Sequence, residues 1–337
     1  MLAIVTGGTG FLGSHLVRLL QERGMAVRIL LRPGTPPSVL PPGVEYRVGD
    51  IRDAEAVRKA FEGATIVFHL AGLVAPFAPR HRYLEVNVGG TETVLEACLA
   101  VNVERLVYVS STVVYGIECD HRGLAEDAAC AGEFVAPYEE SKVKAEQFVA
   151  QRVQETGLPT VILRPGMGWG PRERVVLPVL IRNLHSRLFF MVGNGRNTLD
   201  LSYARNIAHA CWLAAVKSEA VGRTYNVADG LGITCREFLG ALANALGIPA
   251  RRRWVPKALV APWVALLLRP EPELKEGPLP PSRITLLRLC ALYRDSEPDT
   301  SRIRKELGYA PPVDFLTGVA ETVAWYRQAF PAGQGDS

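Results

Sequence analysis

The sequence predicts an α/β protein built on a doubly wound parallel sheet, with a smaller, discontinuous lobe beside it. Three observations predict this. Apolar, β-branched runs of strand length alternate with helical patterns through the first half of the chain. A glycine-rich turn joins the first strand to the first helix. Past Pro165, glycine and proline become frequent and the alternation loosens. Strand–helix alternation implies parallel strands joined by crossover helices, which cover both faces of the sheet. A chain of 337 residues, 48% apolar, is large enough for one big domain or two unequal ones.

In order, strands are expected at 2–5, 27–31, 44–48, 65–69, 105–110 and 160–163, and helices at 11–23, 54–61, 83–101 and 139–155. Asp53 is placed to cap the helix that starts at Ala54. A helix at 175–187 and a short strand at 189–192 follow the change of character at Pro165. The helix at 203–217 and the strand at 224–227 return to the sheet. Helices at 235–246, 256–268, 301–307 and 315–326 complete the chain. The sheet domain is therefore expected at 1–165 plus about 198–228, the smaller lobe at 166–197 plus 229–330, and a disordered tail at 331–337. Residues 270–281 read as a Pro/Glu loop or lid.

Composition narrows the function classes. The net charge of +4 is small and spread out, so no nucleic-acid partner is expected. Six cysteines (Cys98, Cys119, Cys130, Cys211, Cys235, Cys290) show no metal-ligand spacing and no C-x-x-C pair. A reducing, cytoplasmic setting suits them, and no metal is expected. No secretory leader is expected, because residues 1–5 already read as strand. No apolar run reaches the 18 residues a membrane span needs.

The opening MLAIVTGGTGFLG runs from a short apolar strand into Gly7-x-x-Gly10-x-x-Gly13 and then a helix beginning at Phe11 and Leu12. This order binds the pyrophosphate of a dinucleotide, as in Rossmann folds. Gly7 permits the tight turn, Gly10 lets the backbone approach the phosphates, and Gly13 lets helix and strand pack closely. Free N–H groups at the helix start face the anion. His69-Leu70-Ala71-Gly72 ends the fourth strand at the same sheet edge, where ligands of wound sheets bind. His69 reads as packed behind the cofactor and not catalytic.

Tyr138-x-x-x-Lys142 places a phenol and an ammonium four residues apart on one helical face, after Pro137 at the first turn. A nearby ammonium is expected to lower the phenol pKa toward working pH. A phenol so tuned exchanges a proton with a carbonyl or alcohol oxygen.

Together, the glycine spacing, Tyr138-x-x-x-Lys142 and the upstream Val109-Ser110-Ser111-Thr112 resemble the extended branch of the short-chain dehydrogenase/reductase superfamily. The resemblance runs to about residue 328. It implies that Ser111 hydrogen-bonds the reacting oxygen beside Tyr138, with Thr112 as the other candidate and Trp169 as a further substrate contact. Asp50-Ile51 resembles the pair that contacts adenine. Asn87, in Val86-Asn87-Val88-Gly89-Gly90-Thr91, resembles the residue that ties helix to loop and lines the cofactor site. Arg164-Pro165-Gly166 resembles the segment whose backbone reaches the nicotinamide amide, and Ser110 joins the cofactor contacts. Members of this branch commonly form homodimers through the helices at 83–101 and 139–155. Val94, Cys98 and Val101, with Phe148 and Arg152, supply stripes that can face the sheet, and Val86, Val88 and Leu95 lie on neighbouring faces.

Cofactor choice turns on the end of the second strand. NAD-preferring members place an acid there for the ribose 2′-hydroxyl. This chain reads Leu31-Arg32-Pro33-Gly34, so NADP(H) is favoured, with Arg32 on the 2′-phosphate, and NAD(H) remains the alternative.

The branch contains both sugar-nucleotide epimerases or dehydratases and reductases of lipophilic ketones. Sugar-nucleotide members carry Arg just before the Asp that is Asp200 here; this chain has Leu199 there, with Arg196 nearby as a substitute. The C-terminal lobe resembles the 3β-hydroxysteroid dehydrogenases and their neighbours, the sterol-4-carboxylate decarboxylating dehydrogenases and the 2-alkyl-3-oxoalkanoate reductases. The expected reaction is alcohol–ketone interconversion on a small lipophilic, sterol-like or β-keto substrate. A non-catalytic dinucleotide-binding protein is the contrasting class, but such proteins typically lose the Tyr or the Lys. The segment 256–268, PKALVAPWVALLL, is apolar almost all round and follows Arg251, Arg252 and Arg253. Core burial is the preferred reading for it, and peripheral contact with a membrane surface is the other.

Overall fold

The computed structural model describes residues 1–75, 78–117, 120–186, 190–230, 232–249, 253–267, 269 and 294–331. Cys119, Cys290, Arg251, Arg252, the 270–281 stretch and the tail from 332 lie outside the described residues, as do Arg187 and Phe189 at two expected element ends.

Seven parallel strands form the main sheet: β1 (Leu2–Thr6), β2 (Ala26–Leu31), β3 (Glu45–Val48), β4 (Ile66–His69), β5 (Arg105–Val109), β6 (Thr160–Pro165) and β7 (Thr224–Val227). Their spatial order is 3-2-1-4-5-6-7. The order reverses at β1, which pairs with β2 on one side and β4 on the other, so that Val5 is level with both Ile29 and Phe68. Side chains alternate between the faces of a strand. Ala3, Val5, Phe68 and Val107 enter one core layer, and Ile4, Val67, Leu106 and Tyr108 enter the other.

Helices close both faces. Helix α1 (Phe11–Glu22) covers the first layer through Leu16, Val17 and Leu20. The opposite layer is covered by α2 (Ala54–Phe61), α3 (Gly90–Ala100) and α4 (Pro137–Thr156). Asp53 caps α2, its Oδ1 accepting from the N–H groups of Glu55 and Ala56. The expected helix at 83–101 begins as a short turn, Arg80–Tyr83, and passes through a π-helical stretch, Leu84–Gly89. Leu95 is fully buried there, so it belongs to the core and not to an outer face.

A third hydrophobic core draws on the second half of the chain. It joins Trp169, Leu180, Ile181, Leu201 and Tyr203 to Phe238, Leu242, Val319 and Val323. These come from α5 (Leu177–His185), from α7 (Cys235–Leu246), from α10 (Phe315–Ala329) and from the paired short strands Met167–Trp169 and Leu201–Tyr203. Helix α6 (Ala204–Val216) returns to the first layer beside α1. Helix α9 (Ser301–Leu307) joins that layer through Ile303 and Leu307. The ladder of Met167–Trp169 with Leu201–Tyr203 was not expected, because strands of three residues carry too little periodicity to read, whereas the short strand expected at 189–192 is present as Phe190–Val192.

The helix α8 (Lys257–Leu267) corrects an expectation. Core burial was preferred for it, yet Leu259, Trp263 and Leu266 are exposed. An apolar composition does not reveal which face a short helix buries.

Candidate active site

The glycine turn is as tight as its spacing implies. Gly7 adopts φ +74°, and a Cβ there would lie 2.8 Å from Ala71 N. A Cβ on Gly13 would come within 2.1 Å of Gly7 O. The turn is closed by Gly10 N–H donating to Gly7 O at 2.9 Å. No side chain caps α1, so the N–H groups of its first turn are left for an anion. Phe11 and Leu12 pack their side chains toward Gly168.

The loops after β1 and β4 meet at the reversal of strand order, where wound sheets bind ligands. Thr6 and His69 brace them from behind. His69 is buried, with Nδ1 2.7 Å from Thr6 Oγ1 and Nε2 3.0 Å from Thr91 Oγ1. Thr91 gives its own hydroxyl proton to Asn87 O. His69 Nε2–H is therefore the donor to Thr91, and Nδ1 accepts from Thr6. Burial drives the imidazole pKa down to about 3, so His69 is neutral and structural. Asn87 ties the Leu84–Gly89 segment to the next loop. Its Oδ1 accepts from Leu73 N at 2.6 Å, and its Nδ2 donates to Leu73 O and to Ser141 Oγ. Gly72 lies against that same side chain.

The reactive cluster sits at the C-terminal ends of β5 and β6 and on the first two turns of α4. Helix α4 starts at Pro137, and Glu139 Oε2 accepts from the N–H groups of Val135 and Ala136. Arg80 clamps Glu140 with two hydrogen bonds, 2.8 and 2.6 Å long. The Ser111 hydroxyl lies close enough to the Tyr138 phenol to favour its charged form. The Tyr83 ring packs edge-on against Tyr138 with centroids 6.4 Å apart. Lys142 Nζ donates to Val109 O at 2.9 Å and lies 5.1 Å from the centre of the Tyr108 ring. Ser110 Oγ is buried, with no partner among the described residues.

The electrostatics correct one expectation. Burial pushes the Tyr138 phenol up to about 12, and the Ser111 hydrogen bond offsets only part of that. Lys142 is engaged with the Val109 carbonyl and does not lower the phenol as expected. Lys142 is itself brought down to about 8 by burial, against the opposing pull of Glu146.

The family model described as NAD dependent epimerase/dehydratase matches residues 3–228. The chain belongs to this family. It is 33% identical to 2-alkyl-3-oxoalkanoate reductase of Stenotrophomonas maltophilia (strain K279a), over 95% of this chain and 97% of that protein. It is 31% identical to 3beta-hydroxysteroid-dehydrogenase/decarboxylase isoform 2 of Arabidopsis thaliana over 95% of this chain, which spans 61% of that protein's length. Among solved structures it resembles that of gox2253, with a TM-score of 0.81, 26% identity and 98% of both chains covered. The chain is thus an NAD(P)-dependent oxidoreductase of the extended short-chain dehydrogenase/reductase kind.

A nicotinamide dinucleotide fits the residues present in this short-chain dehydrogenase/reductase. The glycine cradle a Cβ would fill, the uncapped α1 terminus and the unpartnered Ser110 hydroxyl all suit it. Gly7, Gly10 and Gly13 would take its phosphates, and Ser110, Tyr138 and Lys142 would lie toward its other end. Gly166 N–H is held by Val227 O and Ser202 Oγ, and the residue abuts Asp200 too closely to admit a Cβ. Arg32 is exposed at the end of β2. The Asp50 carboxylate is gripped by Arg52 through Nε and Nη2 at 2.8 and 3.0 Å, which holds its pKa down. The Ile51 side chain is buried, in contact range of Gly90.

Two expected substrate residues do other work. Trp169 is buried in the small lobe's core, its ring 4.9 Å from Tyr203, 5.4 Å from Phe238 and 5.8 Å from Phe315 between centroids. It is a packing residue of that core. Thr112 Oγ1 donates to Asp200 Oδ2 at 2.6 Å, so its proton is not available to a substrate oxygen. One residue was missed. Glu146 lies one turn beyond Lys142 and forms a buried ion pair with Arg164. The four-residue step from Tyr138 to Lys142 to Glu146 was a visible signal for it.

Proposed function

We propose that this enzyme interconverts a secondary alcohol and a ketone on a lipophilic substrate, with Tyr138 as acid and base. The observation that carries this reading is the Tyr138–Ser111 hydroxyl pair beside Lys142, at the sheet edge that holds the glycine turn. A bound nicotinamide supplies the hydride for reduction or takes it in oxidation. Tyr138 keeps its proton at neutral pH, since burial holds its pKa near 12. It gives that proton to the carbonyl oxygen as the carbon is reduced, and takes it back in the reverse direction. Ser111 Oγ positions the same oxygen. Lys142, one turn along the same helix and bonded to Val109 O, is charged below pH about 8.

Lipophilicity is supported by the relatives named for 3-oxoalkanoate and hydroxysteroid chemistry. It is also supported by Leu199, a buried apolar side chain where a sugar-nucleotide enzyme would carry a cation for the diphosphate. NADP(H) is the proposed cofactor, because Arg32 is exposed at the end of β2 and that position carries no acid. A twofold homodimer through α3 and α4 is proposed as well, with half-buried Val86, Val88 and Phe148 near the contact. Light scattering at micromolar concentration tests it, and a monomer there overturns it.

The family description keeps sugar-nucleotide epimerisation as the second reading. A panel of steroid ketones, 3-oxo acids and UDP-sugars, followed by NADPH and NADH absorbance, separates the two. Turnover of lipophilic ketones supports the proposal. Epimerisation of a UDP-sugar without net cofactor oxidation overturns it.

A further inference from the structure

The first turns of α4 are gripped by the chain segment 80–87. Arg80 holds the buried Glu140 carboxylate at 2.8 and 2.6 Å, and Lys144 Nζ meets the same carboxylate at 2.6 Å. At the other end of the segment, Asn87 Nδ2 donates to Ser141 Oγ, and Ser141 Oγ donates to Tyr138 O, each at 2.8 Å. Tyr83 stands between these two ties. Its side chain is buried and meets the Tyr138 ring edge-on, with 63° between the planes and 6.4 Å between centroids. Burial raises the Tyr83 phenol, and the backbone of Ala75 lies close enough to oppose that rise. Tyr83 is thus held at both ends, its ring by Tyr138 and its hydroxyl beside Ala75.

Tyr138 carries a conflicting demand. In the reaction proposed above its hydroxyl must release a proton to the reacting oxygen. A strong hydrogen bond from that hydroxyl to a fixed acceptor would orient the phenol but would also retain the proton. The ties through Glu140 and Ser141 fix the backbone of α4 and leave the Tyr138 ring its side-chain torsions. A neighbouring ring packed edge to face limits those torsions without competing for the proton.

We propose that Tyr83 is a positioning residue for this reaction, its buried ring holding the Tyr138 ring in the direction that delivers the proton to the reacting oxygen. The inference rests on the reading of Tyr138 as the acid. The ring of Tyr83 does the positioning, and its hydroxyl serves only to tether that ring.

The test is single-turnover reduction, with NADPH, of the steroid ketones and 3-oxo acids of the panel above, using the full chain. Tyr83→Leu should slow the step by roughly tenfold or more, because misdirection of a reacting group is costly. Cofactor affinity should stay within a few-fold. Tyr83→Phe, which keeps the ring, should restore the rate to within a few-fold of wild type. A double-mutant cycle then separates positioning from general packing. In the Tyr138→Phe background, adding Tyr83→Leu should change the residual rate by less than about twofold, since no ring-borne proton is left to direct.

Three results overturn the proposal: a folded Tyr83→Leu variant that reduces at the wild-type rate, a Tyr83→Phe variant as slow as Tyr83→Leu, or the same tenfold loss in both backgrounds. Failure of the underlying reading looks different. A Tyr138→Phe variant as fast as wild type removes the acid and its positioning together, and so does a wild type that reduces none of these ketones. A slow Tyr138→Phe with an unimpaired Tyr83→Leu removes Tyr83 alone. If far-UV circular dichroism shows Tyr83→Leu unfolded, Tyr83→Met fills the space without a rigid edge and carries the same expectations.

Discussion

Arg164 holds Glu146 in a buried ion pair, Nη2 to Oε1 at 2.5 Å, one helical turn beyond Lys142. Arg164 also donates to Tyr115 Oη at 2.7 Å and to Glu126 O at 3.0 Å, while Glu146 Oε2 has no partner among the described residues. The pair anchors α4 to β6, and its carboxylate opposes the burial that brings Lys142 down to about 8. Glu146→Gln should therefore have two effects. Breaking the pair leaves Arg164 buried and uncompensated, at a cost of about 3 kcal/mol in a urea titration. Loss of the negative charge lowers the Lys142 pKa further, so the alkaline limb of kcat/KM moves to lower pH. A limb that stays in place removes Glu146 from any role in tuning Lys142.

Tyr138→Phe keeps the ring packed against Tyr83 and removes the proton donor. The expected loss is roughly a thousandfold in kcat, with cofactor affinity retained, because only the reacting oxygen needs that proton. Single-turnover reduction and cofactor titration measure the two quantities separately. Substantial reduction by the variant would remove Tyr138 as the acid.

Lys142 also makes stability depend on pH. Its folded pKa, about 8, lies below the ordinary lysine value near 10.4. Between these limits the unfolded chain binds more protons than the folded one, so this group's contribution makes stability rise with pH across that window. The slope of unfolding free energy against pH from about 8 to 10 should be steeper in wild type than in Lys142→Met. Equal slopes would mean that Lys142 is not held down by burial.

The fold was legible because its signals are local. Three glycines follow a strand and open a helix, and Asp53 stands one residue before Ala54, so both features are written within a few residues of each other. The same holds for Tyr138 and Lys142. The packing of Trp169 was not legible because its partners Tyr203, Phe238 and Phe315 arrive from far along the chain. Thr112 misled for the same reason, since Asp200 is 88 residues away. The phenol pKa was misjudged because spacing shows that Lys142 shares a face with Tyr138, but not that the Val109 carbonyl accepts a hydrogen bond from its ammonium or how deeply the phenol is buried.

Thr112→Val separates a positioning residue from a substrate contact. The Asp200 carboxyl is buried and its pKa is raised by that burial, with the Thr112 hydrogen bond opposing the rise. Removing the hydroxyl should cost about 1–3 kcal/mol of stability and push the Asp200 pKa higher. Turnover at saturating substrate should hold within a few-fold, because Ser111, and not Thr112, is the hydroxyl that acts on the Tyr138 phenol. Collapse of kcat with stability intact would return Thr112 to the reacting oxygen.

Arg32→Asp tests the cofactor reading at its narrowest point. The residue is exposed at the end of β2, and the nearest carboxylate the sequence suggests, Asp50, is already gripped by Arg52. The end of β2, Leu31-Arg32-Pro33-Gly34, carries no acid for a ribose 2′-hydroxyl, whereas an exposed guanidinium suits a 2′-phosphate. The wild type should prefer NADPH over NADH in kcat/KM. In the variant an acid repels the phosphate and accepts the hydroxyl, so the preference should reverse, mainly through KM for the cofactor. The glycine turn and the Tyr138–Ser111 pair are untouched, so kcat at saturating cofactor should stay within a few-fold. A wild type that already prefers NADH would take Arg32 out of cofactor selection and leave it a solvated surface cation.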